Sequence, residues 1–382
     1  MELAERLAIV TQDRGGMGGT AVTLVDRRSP PEQLDLSESL TFGGFGDAFG
    51  SPFEQDVFFT WSGEAPRLTR YRASLEGGFT EEGILAFDRQ LVSPPGSLVA
   101  SDFFVVAPDK AYVLDGLGAA VVIFDPQAMT LVDRVLLPPD LPVPGFQLGP
   151  VVASDRLMIG DTLVVTIGFT NSARADISAT SFIVFLDTTD DTIERVLTPE
   201  SCGYLQHARA TASGTLLFGT GVRSAAFEIA SAGEVGGPSC ILEVDGTTFD
   251  ATPLAAPGAL TGGRAAGSFY FVSDTSAFVR IFEESALDVD VADLTRFEVA
   301  SGPYWRWGFV PDLNGADFRL VDDGSELRSG FSLSRVVDDV RFAIELRPDF
   351  GGSRLIELQA GGTILPLTET SQFLRNVFGM RL

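Results

Sequence analysis

The sequence predicts an all-β fold: a seven-bladed β-propeller closed by pairing of the N- and C-terminal strands. Three observations carry that reading. Apolar residues alternate with period two through most of the 382 residues, and no long stretch keeps a helical period. Short strand-like runs bounded by Gly, Pro and Asp recur in the same order of four. Finally, the two ends of the chain each hold strand-like runs that fit no complete unit alone and together make one more.

The clearest unit holds runs at 103–107, 111–115, 120–125 and 131–136, joined by a Pro-Asp turn, a Gly-Leu-Gly turn and a turn at Pro126. Before it, 43–51, 57–61, 67–72 and 83–87 repeat the pattern. After it come 151–153, 162–167, 181–186 and 193–197, then 207–211, 215–219, 225–229 and 240–244. A further set reads 263–266, 268–272, 277–282 and 304–310, and the last reads 331–337, 340–346, 353–358 and 363–367. The lone strand at 376–382 joins runs at 6–10, 20–25 and 33–36 to complete the seventh. Each unit then takes about 55 residues, slightly above the usual blade length, with the excess in loops. One propeller domain over 1–382 is the expectation.

Composition narrows the function. With 45% hydrophobic residues the chain can bury a large core, and no run approaches the ~18 apolar residues of a membrane helix. Lys and Arg total 27 against 52 Asp and Glu, a net charge of 27 − 52 = −25, opposite to what a phosphate-coating nucleic-acid binder needs. Nucleic acid is therefore not expected as a partner. One histidine, His207, and two cysteines, Cys202 and Cys240, cannot build a multi-histidine or four-thiolate metal site. The only lysine, Lys110, falls in a turn, so positive charge in this protein means arginine. The acidic start, Met1 to Arg6, carries no signal segment and reads as a trimmed or mature form. The two cysteines read as one structural disulfide of an oxidising compartment, with two buried free thiols as the alternative.

Several motifs have ordinary explanations. Gly15 to Thr20 lacks the following helix of a phosphate cradle and reads as a hairpin tip. Asp312-Leu313-Asn314-Gly315 places its glycine wrongly for a calcium loop and reads as a turn, as does Asp187 with Asp190 and Asp191. Trp305 and Trp307 share one face of a strand, which suits packing between blades. No Gly-x-Ser-x-Gly elbow is present.

In a propeller, the loop leading into the innermost strand of a blade shares a face with the loop joining its second and third strands, and that face is the default binding site. Candidate ligand-binding residues there are Phe45, Trp61, Tyr204, His207, Arg209, Arg223, Arg264, Arg335 and Arg375. Arginine offers a permanent charge and a stacking plane together, so a mouth of arginines and aromatics suits a polyanionic, ring-bearing ligand. The competing reading pairs these arginines with Asp47, Asp102, Asp155, Asp274, Asp338 and Asp349 as structural salt bridges between blades.

The run from Val106 to Tyr112, followed by Val122 to Met129, resembles the MxcI-like proteins encoded beside siderophore genes. Cys202 with the run Cys240 to Val244, Leu260 to Arg264, and Trp305-Arg306-Trp307 are similar to that family's later signatures, over roughly 100–382. The resemblance implies a secreted or lipid-anchored propeller of the periplasm or outer membrane, with a ferric siderophore, catecholate among the candidates, as ligand. It also implies an outer-membrane receptor or transporter as a possible partner, and no cofactor beyond the iron of the ligand. Two other classes stay open: a propeller hydrolase or lactonase with a carboxylate-held divalent cation, and a protein-interaction scaffold.

Overall fold

In the computed structural model the chain forms a seven-bladed β-propeller of four-stranded antiparallel sheets. The described residues are 5–13, 19–44, 46–62, 67–76, 78–87, 98–115, 119–139, 141, 147–149, 157–170, 177–199, 202–230, 239–315, 317–321, 327–347 and 351–382. The first sheet takes β1 (Glu5–Gln12), β2 (Gly19–Asp26) and β3 (Leu40–Gly43) from the N-terminus. The second holds β4 (Gly46–Gly50), β5 (Val57–Ser62), β6 (Arg67–Ala73) and β7 (Phe79–Ala86). The third holds β8 (Leu98–Ala107), β9 (Lys110–Asp115), β10 (Ala120–Asp125) and β11 (Thr130–Leu136). In the fourth, β12 (Gln147–Gly149) and β13 (Leu157–Ile159) both pair with β14 (Thr162–Thr170), followed by β15 (Phe182–Asp187) and β16 (Thr192–Leu197).

The fifth sheet holds β17 (Leu205–Ala210), β18 (Thr215–Thr220), β19 (Ile241–Asp245) and β20 (Ala251–Ala255), with helix α1 (Val222–Ala230) between β18 and β19. Helix α2 (Pro257–Leu260) leads to the sixth: β21 (Ala266–Phe271), β22 (Ala277–Phe282), β23 (Trp305–Val310) and β24 (Arg319–Leu320). Helix α3 (Arg296–Ser301) lies between β22 and β23. The seventh holds β25 (Ser332–Val337), β26 (Val340–Leu346), β27 (Ser353–Leu358) and β28 (Ile364–Thr370). Strand β29 (Phe373–Arg381) then pairs with β1, from Glu5 opposite Arg381 to Gln12 opposite Phe373, and completes the first sheet. By contact density the chain divides into two compact units, one of 1–138, 335–356 and 366–382, the other of 139–334 and 357–365.

One turn chemistry recurs where the third strand of a sheet passes to the fourth. Asp125 Oδ1 accepts the backbone N–H groups of Gln127 and Ala128, and Asp245 Oδ1 accepts those of Thr247 and Thr248. Each turn then places a large apolar residue in the left-handed region, Met129 and Phe249. These side chains reach the neighbouring sheet: Phe249 lies 4.5 Å from the Phe185 ring, and Met129 packs over Gly83. Apolar faces of successive sheets meet in the same way. Val57, Phe59, Trp61 and Leu68 of the second sheet pack with Val105, Val113, Val122 and Phe124 of the third.

Three expectations need correction. Residues 225–229 form most of α1, not a strand: Val222, Ala225 and Ala226 bury one helical stripe, a spacing that a five-residue run, apolar except for Glu228, does not distinguish from a strand. Cys240 consequently precedes the third strand of its sheet, and the outer strand is β20. In the sixth sheet the innermost strand is β21, and 263–265 belong to the turn before it. In the first sheet the outer strand is β3 rather than 33–36, where Gln33 makes an isolated bridge to Glu369. Residues 151–153 and the glycines of 15–18 lie outside the described residues.

Candidate functional site

Arg223, second residue of α1, sits among aromatic rings. Its guanidinium carbon is 4.9 Å from the centroid of Phe331, 5.7 Å from Tyr204 and 6.0 Å from Phe297. Tyr204 immediately precedes β17, Phe331 immediately precedes β25, and Phe297 belongs to α3. Such segments, leading into a first strand or joining a second to a third, gather at one end of antiparallel four-stranded sheets. Next to them Arg296 lies 3.7 Å over the Phe227 ring, so arginine and phenylalanine alternate across the α1–α3 contact. Phe297 is 38% exposed, which leaves a ring of this cluster open to solvent.

The first turn of α1 is fastened from both sides. Gly221 N–H donates to Tyr204 C=O at 3.1 Å, and Val222 N–H donates to Ser268 Oγ at 2.9 Å. Ser224 Oγ donates to Gly203 C=O at 2.7 Å. Tyr204 and Ser268 both take the left-handed backbone conformation, φ 60° and 56°, which costs about 1–3 kcal/mol each and persists only where surrounding contacts hold it. The disulfide Cys202–Cys240 anchors the segment two residues before Tyr204. On the far side of the cluster, buried Arg280 donates to Ser329 C=O at 2.5 Å and stacks on Trp307, while Phe331 N–H donates to Ser329 Oγ. Gly330 permits the close approach: a methyl there would lie 2.5 Å from Val222 Cγ2 and 2.7 Å from the Trp305 ring. Helix α3 is held by the Thr295–Glu298 capping box and by Trp305 Nε1–H donating to Val299 C=O at 2.8 Å. Those Thr295 bonds also hold the Glu298 carboxyl below its ordinary value.

Arg264 lies in the turn before β21, at the same end of the sheets. Its Nη1 is 3.8 Å from Glu283 Oε2, which Arg306 also approaches at 3.7 Å. Both arginine side chains are about half exposed. One carboxylate between two guanidinium groups leaves donors of each free to face solvent or a ligand, so this end can receive an anion that also offers aromatic faces.

Of the sequence candidates, the structure brings Tyr204 and Arg223 together and places Arg264 at the same end of the same unit. The others have partners of their own. Arg209, toward the far end of β17, pairs at 3.1 Å with Asp274 in the turn between β21 and β22, opposite Tyr204. Asp274 also accepts Ala212 N–H, and these contacts, the backbone bond foremost, hold its carboxyl below its usual value. Arg335 donates to Asn376 Oδ1 at 2.8 Å, and Arg375 pairs at 3.0 Å with buried Asp47, both within the other unit. Asp338 receives Arg27 and Arg381. Trp61 is 6% exposed and packs edge-on against Phe87 in the sheet-to-sheet core, and His207 is wholly buried with its ring 4.3 Å from Tyr270. Their side chains therefore do not line an open mouth. Phe45 lies outside the described residues. Cys202 and Cys240 form the disulfide.

Sequence reasoning missed Phe297, Phe331, Arg296 and Phe227. Thr295-Arg296-Phe297-Glu298 carries the capping-box spacing that marks a helix start, and Phe331 stands just before an innermost strand; both signals were readable. Among the described residues, no group of three or more His, Cys, Asp or Glu side chains could hold a metal ion. Nor is any helix of the described residues long and apolar enough to cross a membrane.

No protein-family model and no curated protein matches the chain. Solved structures do. A periplasmic gluconolactonase from Pseudomonas aeruginosa superposes with a TM-score of 0.56 at 13% identity, over 98% of this chain and 99% of that one. A protein from Lactobacillus plantarum superposes with a TM-score of 0.54 at 11% identity over the full length of both chains. At these identities the similarity is one of fold.

Proposed function

We propose that the protein is an extracytoplasmic binding protein that captures a ferric siderophore, or a related polyanionic aromatic ligand, in iron acquisition. The observation that carries this reading is Arg223 set among Tyr204, Phe297 and Phe331. A guanidinium held between rings offers charge and a stacking plane without having to be ordered on binding, which favours ligands that are both anionic and aromatic. Arg264 and Arg306 add donors at the same end. The disulfide supports an oxidising compartment, outside the cytoplasm. The iron in this reading is cargo, complexed by the ligand rather than by protein side chains.

Titration of the protein with ferric siderophores of catecholate, hydroxamate and carboxylate classes, and with their iron-free forms, tests it. Saturable binding that favours the aromatic, anionic class supports the reading. Absence of binding in all classes, together with hydrolysis of a sugar lactone, would replace it with the hydrolase alternative.

A further inference from the structure

The disulfide does more than close a chain segment, because several fastenings of the candidate site meet at it. Cys202 and Cys240 join the segment before β17 to the segment before β19. Thr220, at the end of β18, donates its N–H to Cys240 C=O at 3.2 Å, and Cys240 N–H donates to Thr220 Oγ1 at 3.1 Å. The chain that carries α1 therefore leaves the sheet and returns to it at one clamped point. Ser224 Oγ holds Gly203, the residue between Cys202 and Tyr204. Glu228 of α1 accepts Ser239 N–H at 3.0 Å, beside Cys240. Arg223 and Tyr204 thus hang from the two sides of a single covalent link.

We infer that the Cys202–Cys240 disulfide and the Arg223 cluster form one coupled unit: the bond holds α1 and Tyr204 in the ligand-accepting arrangement, reduction loosens them and weakens binding, and bound ligand opposes reduction. The part concerning ligand rests on the binding reading above; the coupling of the bond to α1 does not. With a small dithiol as reductant, a thiolate attacks one protein sulfur, the S–S bond breaks and the departing thiolate takes a proton. The second thiol of the reductant then closes its own disulfide and releases the other cysteine, so two electrons and two protons pass to the protein. Cys202 is 2% and Cys240 9% exposed, packed with Leu157, Ile183 and Phe185, so the attacking thiolate reaches sulfur only when the segments that carry the bond open, and Ser224 and Glu228 tie those segments to α1. A ligand that holds Arg223 beside Tyr204 keeps α1 shut. By linkage, whatever factor reduction takes from ligand affinity, ligand takes from the reduction equilibrium.

Amide hydrogen exchange on the oxidised protein, the dithiol-reduced protein and the Cys202→Ala/Cys240→Ala variant tests the coupling without any ligand. The amides of Gly221, Val222 and Ser224 should exchange roughly tenfold faster or more in both altered forms, while those of β9 and β22, which do not pack on the cysteines, keep their protection. Unchanged exchange at the three amides, or a uniform rise across all sheets, would overturn the proposal. The ligand arm uses the gallium(III) complex of a tris-catecholate, which the dithiol does not reduce. It should bind the oxidised form more tightly and slow reduction; equal affinity for both forms would overturn the proposal. Loosened amides with no binding by either form would leave the coupling standing and remove the siderophore reading.

Discussion

Ser268 Oγ accepts the backbone N–H of Val222 at 2.9 Å, so an innermost strand of the sixth sheet caps the helix that presents Arg223 from the fifth. Replacing Ser268 by Ala should cost about 1 kcal/mol of stability, the usual worth of a helix cap. Arg223 should also lose part of its fixed position. Thermal melts beside ligand titration check this: a modest fall in melting temperature with a clear loss of affinity is expected, and unchanged affinity would detach the cap from the site.

The half-buried carboxylate of α1 and the partly exposed one beside Arg209 should respond oppositely to acid. Burial pushes the Glu228 carboxyl above its ordinary value, against the hydrogen bond from Ser239. Its folded value lies above the unfolded one, so the stability it contributes is present below the unfolded value and lost as pH rises through the folded value. The Asp274 carboxyl is held low, first by Ala212 N–H and then by Arg209, so its contribution is present above the unfolded value and lost as pH falls through the folded one. Glu228→Gln keeps an oxygen for Ser239 and drops the charge. It should melt no lower than the parent at neutral pH and gain nothing on mild acidification, whereas Asp274→Asn should melt lower at neutral pH and show a flatter acid limb. Melts across pH 3 to 8, roughly the span in which carboxylates titrate, decide both.

Strand β29 supplies a whole edge of the first sheet, pairing along β1 from Glu5 to Gln12. Deleting residues 376–382 removes most of that pairing and also Asn376, which accepts Arg335 and donates to Ala48 C=O at 2.8 Å. The unpaired edge of β1 should then promote self-association. Size-exclusion chromatography and thermal melts should show aggregation and a lower melting temperature, and an unaltered profile would contradict the role of the pairing.

Much of this architecture was readable because its signals are local. Alternation and turn residues mark most strands, and the half-units at the two ends of the chain point to the β1–β29 pairing. Helix α1 was not readable in the same way. Residues 225–229, apolar except for Glu228, are too short a run to tell a period of two from one of 3.6, and what decides between the two is the fit of Val222, Ala225 and Ala226 against Phe282, Val299 and Trp305. The site was half legible for a related reason. Sequence placed both Arg209 and Tyr204 at one innermost strand, but which end of it a long side chain serves depends on its partner, here Asp274 in a turn of the next sheet. Trp61 and His207 show the same limit: alternation placed them on strands, and only packing put Phe87 and Tyr270 against them.

Arginines at the two ends of the fifth sheet should therefore differ in kind. Arg209→Ala removes a partly exposed ion pair, worth about 0–1 kcal/mol, and should leave ligand affinity intact. Arg223→Lys should bind more weakly than the parent, since lysine keeps the charge but loses the planar group that faces Tyr204, Phe297 and Phe331. Titration of both variants checks the pair, and full affinity in Arg223→Lys would show that charge alone suffices.

The most direct measurement is calorimetric titration of a ferric tris-catecholate into the parent protein and Arg223→Ala, with a thermal melt of each. Loss of one charge-assisted, partly desolvated contact is worth about 1.5–3 kcal/mol, so affinity should fall roughly ten- to hundredfold while the melting temperature moves little. Binding of equal strength by both proteins, or a melting temperature that falls with no loss of affinity, would contradict a ligand site at Arg223.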